Sequence, residues 1–249
     1  MNRINWYSRL WVMSIKAEST LLLKLAFPIL LAQLALTGLG VTDTLMSGQV
    51  GTDDLAAIGL GSSIMLPVFM FSTGILLAIT PLVAKADGES KPHQITRYLN
   101  QGLWLSVPLG ALSLAVLMNL EWVLDLLSLN KTVYQLTRDY LFYIAFGMPA
   151  IAIYQVLRFF WEGLGTTLPT MWISFFGLFL NIPLNAIFIY GWGPVDAMGA
   201  AGCGVASAIV MWMMFFAGAL YVLKSKLTQP FIVIANLFRP NWRQGLKPI

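Results

Sequence analysis

The run LPTMWISFFGLFLNIPLNAIFIY, Leu168–Tyr190, contains 23 residues and no Asp, Glu, Lys or Arg. About 20 mostly apolar residues are enough for a helix to cross a bilayer. The run is too long for a barrel strand and lacks the alternation one requires. It therefore reads as a transmembrane helix, and that reading decides the fold class. Working outward, five more runs of the same kind appear, at 20–47, 55–84, 95–120, 136–160 and 199–224. The chain is thus expected to be all-α and integral to the membrane. A six-helix lobe over 20–224 is preceded by an N-terminal segment, 1–19, and followed by a basic tail, 225–249.

Composition excludes the other classes. Of 249 residues, 58% are hydrophobic and 10% charged; soluble domains run at about 45–50% and about 25%. The mean hydropathy of +0.75 rules out a disordered chain, which has too little apolar surface to collapse. One cysteine, Cys203, allows no intrachain disulfide, and one histidine, His93, leaves no His cluster for a metal. No zinc-hydrolase pair, nucleophile–histidine set or phosphate-cradling glycine loop is present, so neither an enzyme nor a cofactor is expected. The segment 1–19 carries Arg3 and Arg9 among Trp6, Tyr7 and Trp11, with no cleavage site after it, and reads as retained and interfacial.

Polar breaks separate the runs. Residues 51–54 form a turn in which Thr52 or Asp53 is placed to cap the second helix. Residues 87–92 form a second loop, and 121–134, mixing charge with leucines, suggest an interfacial helix. Thirteen of the 15 lysines and arginines fall on the side that holds both termini. Only Lys131 and Arg138 fall on the other. By the positive-inside rule both termini are cytoplasmic, as six spans require. Topology also accounts for the basic tail without a nucleic-acid partner.

The informative residues are polar ones at membrane depth. Ten of the 11 acids lie in loops or near helix ends; Asp43 does not. A carboxylate there costs about 2.5–3.5 kcal/mol on insertion scales. A proton, a cation, a hydrogen-bond network or water has to offset that. Asn181 and Asn185, four apart, share one face of the fifth helix. Pro183 between them leaves the Phe179 carbonyl without its helical donor. This hard-oxygen surface suits Na⁺ at Asp43, Asn181 and Asn185, or hydrogen bonds to a protonated acid; helix-to-helix glue is the plainer role. Ser207 either adds a hydroxyl or bonds back to the Cys203 carbonyl. Gln33 lies about three turns from Asp43, and with Tyr154 and Gln155 it is a candidate to line a substrate cavity. Arg158 reads as snorkelling from a helix end. Pro28, Pro67 and Pro183 are candidate bending points.

Several ordered stretches carry a resemblance. They are Pro28 to Gln33, Val41 to Gly48 around Asp43, Pro81 to Ala84, Tyr154 to Arg158, Leu180 to Asn185, and Gly202 to Ser207. Together the chain resembles the multidrug and toxic compound extrusion (MATE) transporters of the NorM-like branch, over nearly its whole length. The resemblance implies two six-helix lobes around a central cavity. It further implies alternating-access export of cationic, amphipathic small molecules from the bacterial inner membrane, driven by Na⁺ or H⁺. On it, Asp43, Asn181, Asn185 and Ser207 form the cation or proton site of the N-terminal lobe. Some proton-coupled relatives carry Asp at the place of Asn185, and several carry Thr at that of Ser207. The chain is expected to be this lobe alone, truncated or split, paired with a second six-helix lobe or with a second copy. The rival expectations are a non-transporting fragment or membrane assembly subunit and, more distantly, a lipid-linked sugar flippase.

Overall fold

The computed structural model describes residues 15–231. The basic residues at 3, 9, 239, 243 and 247, the aromatic residues at 6, 7 and 11, and most of the tail 225–249 lie outside the described residues. The helices are α1 (Ile15–Gly48), α2 (Thr52–Leu76), α3 (Ile79–Gly88), α4 (Pro92–Met118), α5 (Glu121–Leu126), α6 (Lys131–Ala145), α7 (Met148–Gly163), α8 (Leu168–Tyr190) and α9 (Ala200–Lys224). A single 3₁₀ turn, Gln229–Phe231, follows. Among the described residues, five spans are long and apolar enough to cross a membrane: Leu22–Gly48, Thr52–Gly88, Pro92–Met118, Leu168–Tyr190 and Ala200–Lys224. The bent pair α6–α7, taken as one span, makes a sixth. The chain is a multi-pass helical membrane protein.

One span is bent, and another is interrupted by a two-residue turn, where the sequence suggests continuous helix. The expected span 136–160 is α6 and α7, bent by 48°. Pro149 has no N–H to give the Ala145 carbonyl. A side chain at Gly147 would come within 2.5 Å of Met211 Sδ and 3.0 Å of Ala208 Cα, so only glycine lets α9 approach the bend. Trp212 Nε1 donates to the Phe146 carbonyl at the break, at 3.0 Å. The span 55–84 is likewise divided, with α2 ending at Leu76 and α3 starting at Ile79. Pro81 cannot donate to the Leu77 carbonyl, which accepts from the Thr80 N–H instead, at 3.1 Å. Pro28, Pro67 and Pro183 lie inside continuous helices.

The bent span is the hub. α7 packs on α4, α9 and α3, while α6 packs on α9 and α2. Trp161, Tyr154 and Phe160 are fully buried there, with Leu141, Ile144 and Met148. α9 also lies against α8, where a side chain at Gly202 would overlap the Phe188 carbonyl. α1 is peripheral, resting mainly on α8 and showing Leu22, Leu30, Leu34 and Leu45 outward. The loop ends differ from the simple capping scheme. The N-cap of α2 is Gly51, with no side-chain cap. Asp54 Oδ1 instead accepts the Ala200 N–H at 2.7 Å, capping α9. The 121–134 stretch contains α5, with Trp122 and Leu126 exposed, before α6 begins.

Candidate ion site and cleft

α1 and α8 run parallel, as first and fifth spans should. Three side-chain links hold them in register. Near one end Thr167 Oγ1 donates to the Leu25 carbonyl at 3.2 Å. Near the other, Tyr190 Oη donates to the Met46 carbonyl at 2.9 Å. The third link is the carboxylate. Asn181 Nδ2 donates to Asp43 Oδ1 at 3.0 Å, and Asn185 Nδ2 donates to the same oxygen at 2.6 Å. Asn185 Nδ2 also donates to Asn181 Oδ1 at 3.0 Å, which follows from their shared face. From α9, Ser207 Oγ donates to Asp43 Oδ2 at 3.1 Å rather than to the Cys203 carbonyl.

Asp43 is buried, and both asparagines are fully so. No cation stands beside the carboxylate among its hydrogen-bond partners; its donors are two amides and a hydroxyl. Such a set lowers the cost of a buried charge without fixing it, as a guanidinium would. Asn185 Oδ1 is buried with no hydrogen-bond partner among the described residues. An orphaned amide oxygen one atom from the donor that holds Asp43 is an acceptor waiting for a proton donor or a hard cation.

The site opens on a cleft of about 530 Å³ between α1, α2, α7 and α9. Asp43, Asn181 and Ser207 line it, and so do Gln33, Tyr154 and Gln155. Gln155 Nε2 reaches Thr73 Oγ1 at 3.4 Å, across to α2. Tyr154 is buried against Trp161, edge to face with centroids 6.1 Å apart, so it forms floor rather than rim. Methionines Met65, Met70, Met211 and Met214 give the walls an adaptable, polarizable surface.

Two features escaped the sequence reading. Cys203, noted there as the lone cysteine, is buried beside the Asp43 site. The signal was its spacing, four residues before Ser207 on one face of α9. Arg158 is paired. Its Nε donates to Glu162 Oε1 at 2.8 Å, and both side chains are largely buried.

Comparison with known proteins bears on the family and the fold. Residues 28–187 match the protein family described as MatE. Over 232 residues the chain is 39% identical to a probable multidrug resistance protein NorM of Idiomarina loihiensis, covering 93% of this chain and 50% of that one. It is 40% identical over 227 residues to the multidrug resistance protein MdtK of Yersinia pestis, covering 91% and 50%. The crystal structure of the eukaryotic MATE transporter AtDTX14 superposes with a TM-score of 0.81 at 17% identity, covering 91% of this chain and 50% of that one, which speaks for the fold. The chain spans about half the length of the curated relatives it matches, and it belongs to the MATE family.

Proposed function

We propose that this chain is the N-terminal lobe of a cation-coupled multidrug antiporter of the bacterial inner membrane, with both termini cytoplasmic. The observation that carries the reading is the Asp43 carboxylate, buried, held by neutral donors only, and facing a cleft large enough for a drug-sized molecule. Asp43 takes up Na⁺ or H⁺ while the cleft faces outward and releases it inward. Asn181, Asn185 and Ser207 hold the carboxylate between loadings. For Na⁺, the amide oxygens join Asp43 as hard ligands, and the orphaned Asn185 Oδ1 is the first to be recruited. For H⁺, the same oxygen accepts from the protonated acid.

Loading shifts the lobe between two packings, by as much as the ion's differential affinity for them. α1 is the element suited to move, because it rests mainly on α8 and is tied by a few side-chain bonds. Cationic amphipathic molecules occupy the cleft against Gln33, Tyr154, Gln155 and the methionines. A second six-helix lobe, or a second copy, covers the outward apolar rim that includes Leu34, Met70 and Phe179. The test is efflux of a fluorescent organic cation from vesicles containing this chain and the second six-helix lobe of a NorM relative. Export should follow an imposed Na⁺ or proton gradient, each applied alone. Asp43→Asn should abolish the gradient dependence; if ion-driven export persists in that variant, the assignment of the site is wrong.

A further inference from the structure

The cleft has a second charged residue. Among the described residues that line it, only Asp43 and Arg158 are charged. Arg158 lies on α7, its guanidinium over the Phe159 ring at 5.9 Å. Glu162, one turn on, accepts from Arg158 Nε at 2.8 Å, with side-chain exposures of 13% and 12% that mark the pair as interior. The same Glu162 oxygen accepts from Thr170 Oγ1 at 2.9 Å, and that hydroxyl accepts from Trp161 Nε1 at 2.8 Å. Trp161 and Thr170 are both fully buried. Glu162 is therefore fixed on a rigid frame shared by α7 and α8, standing behind an arginine that faces the cleft.

A lone guanidinium in a membrane cleft repels any cation that enters, because the low dielectric leaves its field unscreened. Arginine stays charged at every accessible pH, so only a fixed counter-charge can silence it. We infer that the Arg158–Glu162 pair sets the charge selectivity of the cleft: Glu162 masks Arg158, so that a cleft which would otherwise reject organic cations admits them. Glu162 acts through Arg158 and touches no ligand, so it is a positioning residue. The inference rests on the reading of the cleft as a site for organic cations. A pair that only braced α7 against α8 would leave charge selectivity unchanged.

The test uses the chain in lipid nanodiscs with two probes of similar aryl bulk, tetraphenylphosphonium, which is cationic, and triphenylphosphine oxide, which is neutral. Glu162→Gln keeps an oxygen for Thr170 and unmasks Arg158. Its affinity for the cation should fall by roughly tenfold relative to the neutral probe, whose retained binding also reports the fold. Equal loss for both probes, or no change in their ratio, overturns the inference. Should that variant not fold, Arg158→Gln/Glu162→Gln removes the pair without leaving a lone charge. Its cation-to-neutral ratio should match that of the unaltered chain, and a fall in the ratio overturns the inference. If the unaltered chain binds neither probe, the reading of the cleft fails and takes this inference with it. If it binds both and Glu162→Gln leaves the ratio unchanged, this inference alone fails.

Discussion

Asp43 is a buried carboxylate and Glu162 a largely buried one, and their surroundings differ in kind. Asp43 is held by two amides and a hydroxyl, all neutral. Glu162 is held by a guanidinium and a hydroxyl. On the proposed reading, the acid in the neutral shell is loaded and unloaded by the coupling ion, while the acid beside the guanidinium balances a fixed positive charge. Only the partners tell them apart.

The sharpest way to break this comparison is to neutralise each site from opposite directions. Asp43→Asn removes the loadable charge but keeps a polar side chain among polar donors. Coupled export should fall to background in vesicles, while the thermal melt in detergent stays the same or rises, since no buried partner is left charged. Arg158→Gln should do the reverse. It strands Glu162 without a counter-charge, and removing one member of a buried pair costs about 3 kcal/mol or more. A clear drop in melting temperature is expected, largely reversed in Arg158→Gln/Glu162→Gln. If Asp43→Asn destabilises as strongly as Arg158→Gln, the two carboxylates do not differ as described.

Asn185→Ala sharpens the account of Asp43. The variant loses the shortest bond to the carboxylate, 2.6 Å, and the orphaned oxygen with it. The Asn185 amide oxygen is the hard ligand proposed for Na⁺, so the apparent Na⁺ affinity should weaken by about tenfold or more, read from the Na⁺ dependence of export. Asn185→Asp, which adds a second acid to the site, should instead change the ion stoichiometry or preference. An Asn185→Ala protein with unaltered ion dependence would reduce this residue to helix glue.

Much of this was legible beforehand, for a physical reason. Hydrophobic length alone marks the spans, because the bilayer demands it of every crossing helix. Asp43, Asn181 and Asn185 were legible because a polar group at depth needs a partner, and i,i+4 spacing puts two amides on one face. The bend and the interruption were not. Apolar runs read straight through 145–148 and 76–79, although Pro149 and Pro81 each remove a helical donor there. The depth of the cleft also escaped the sequence reading, since it depends on how α1, α2, α7 and α9 meet. The pairing of Arg158 was not read, because an arginine near a helix end usually reaches for water. Its i+4 partner Glu162 was in plain view, but the buried Trp161–Thr170 frame that holds Glu162 exists only once α7 and α8 are packed.

Ser207 gives the finest division between a neutral shell and a charged one. It reaches Oδ2, the oxygen the asparagines leave alone, from a third helix. Ser207→Ala removes one neutral donor of three, at 3.1 Å the longest of the set. The Ser207 hydroxyl oxygen is a single neutral ligand for Na⁺; at a net contribution of about 1 kcal/mol, Na⁺ affinity should weaken about fivefold, less than for Asn185→Ala. Ser207→Thr keeps the hydroxyl and should stay near the unaltered value, as the added methyl sits beside the cleft rather than inside packed core. The order expected from ion titrations of export is therefore Asn185→Ala, then Ser207→Ala, then Ser207→Thr. Oxygens that share one Na⁺ each carry part of its coordination, so removing them one at a time should weaken Na⁺ loading stepwise. Abolition by Ser207→Ala alone would mean that the hydroxyl is an obligatory ion ligand rather than one of several that share the ion.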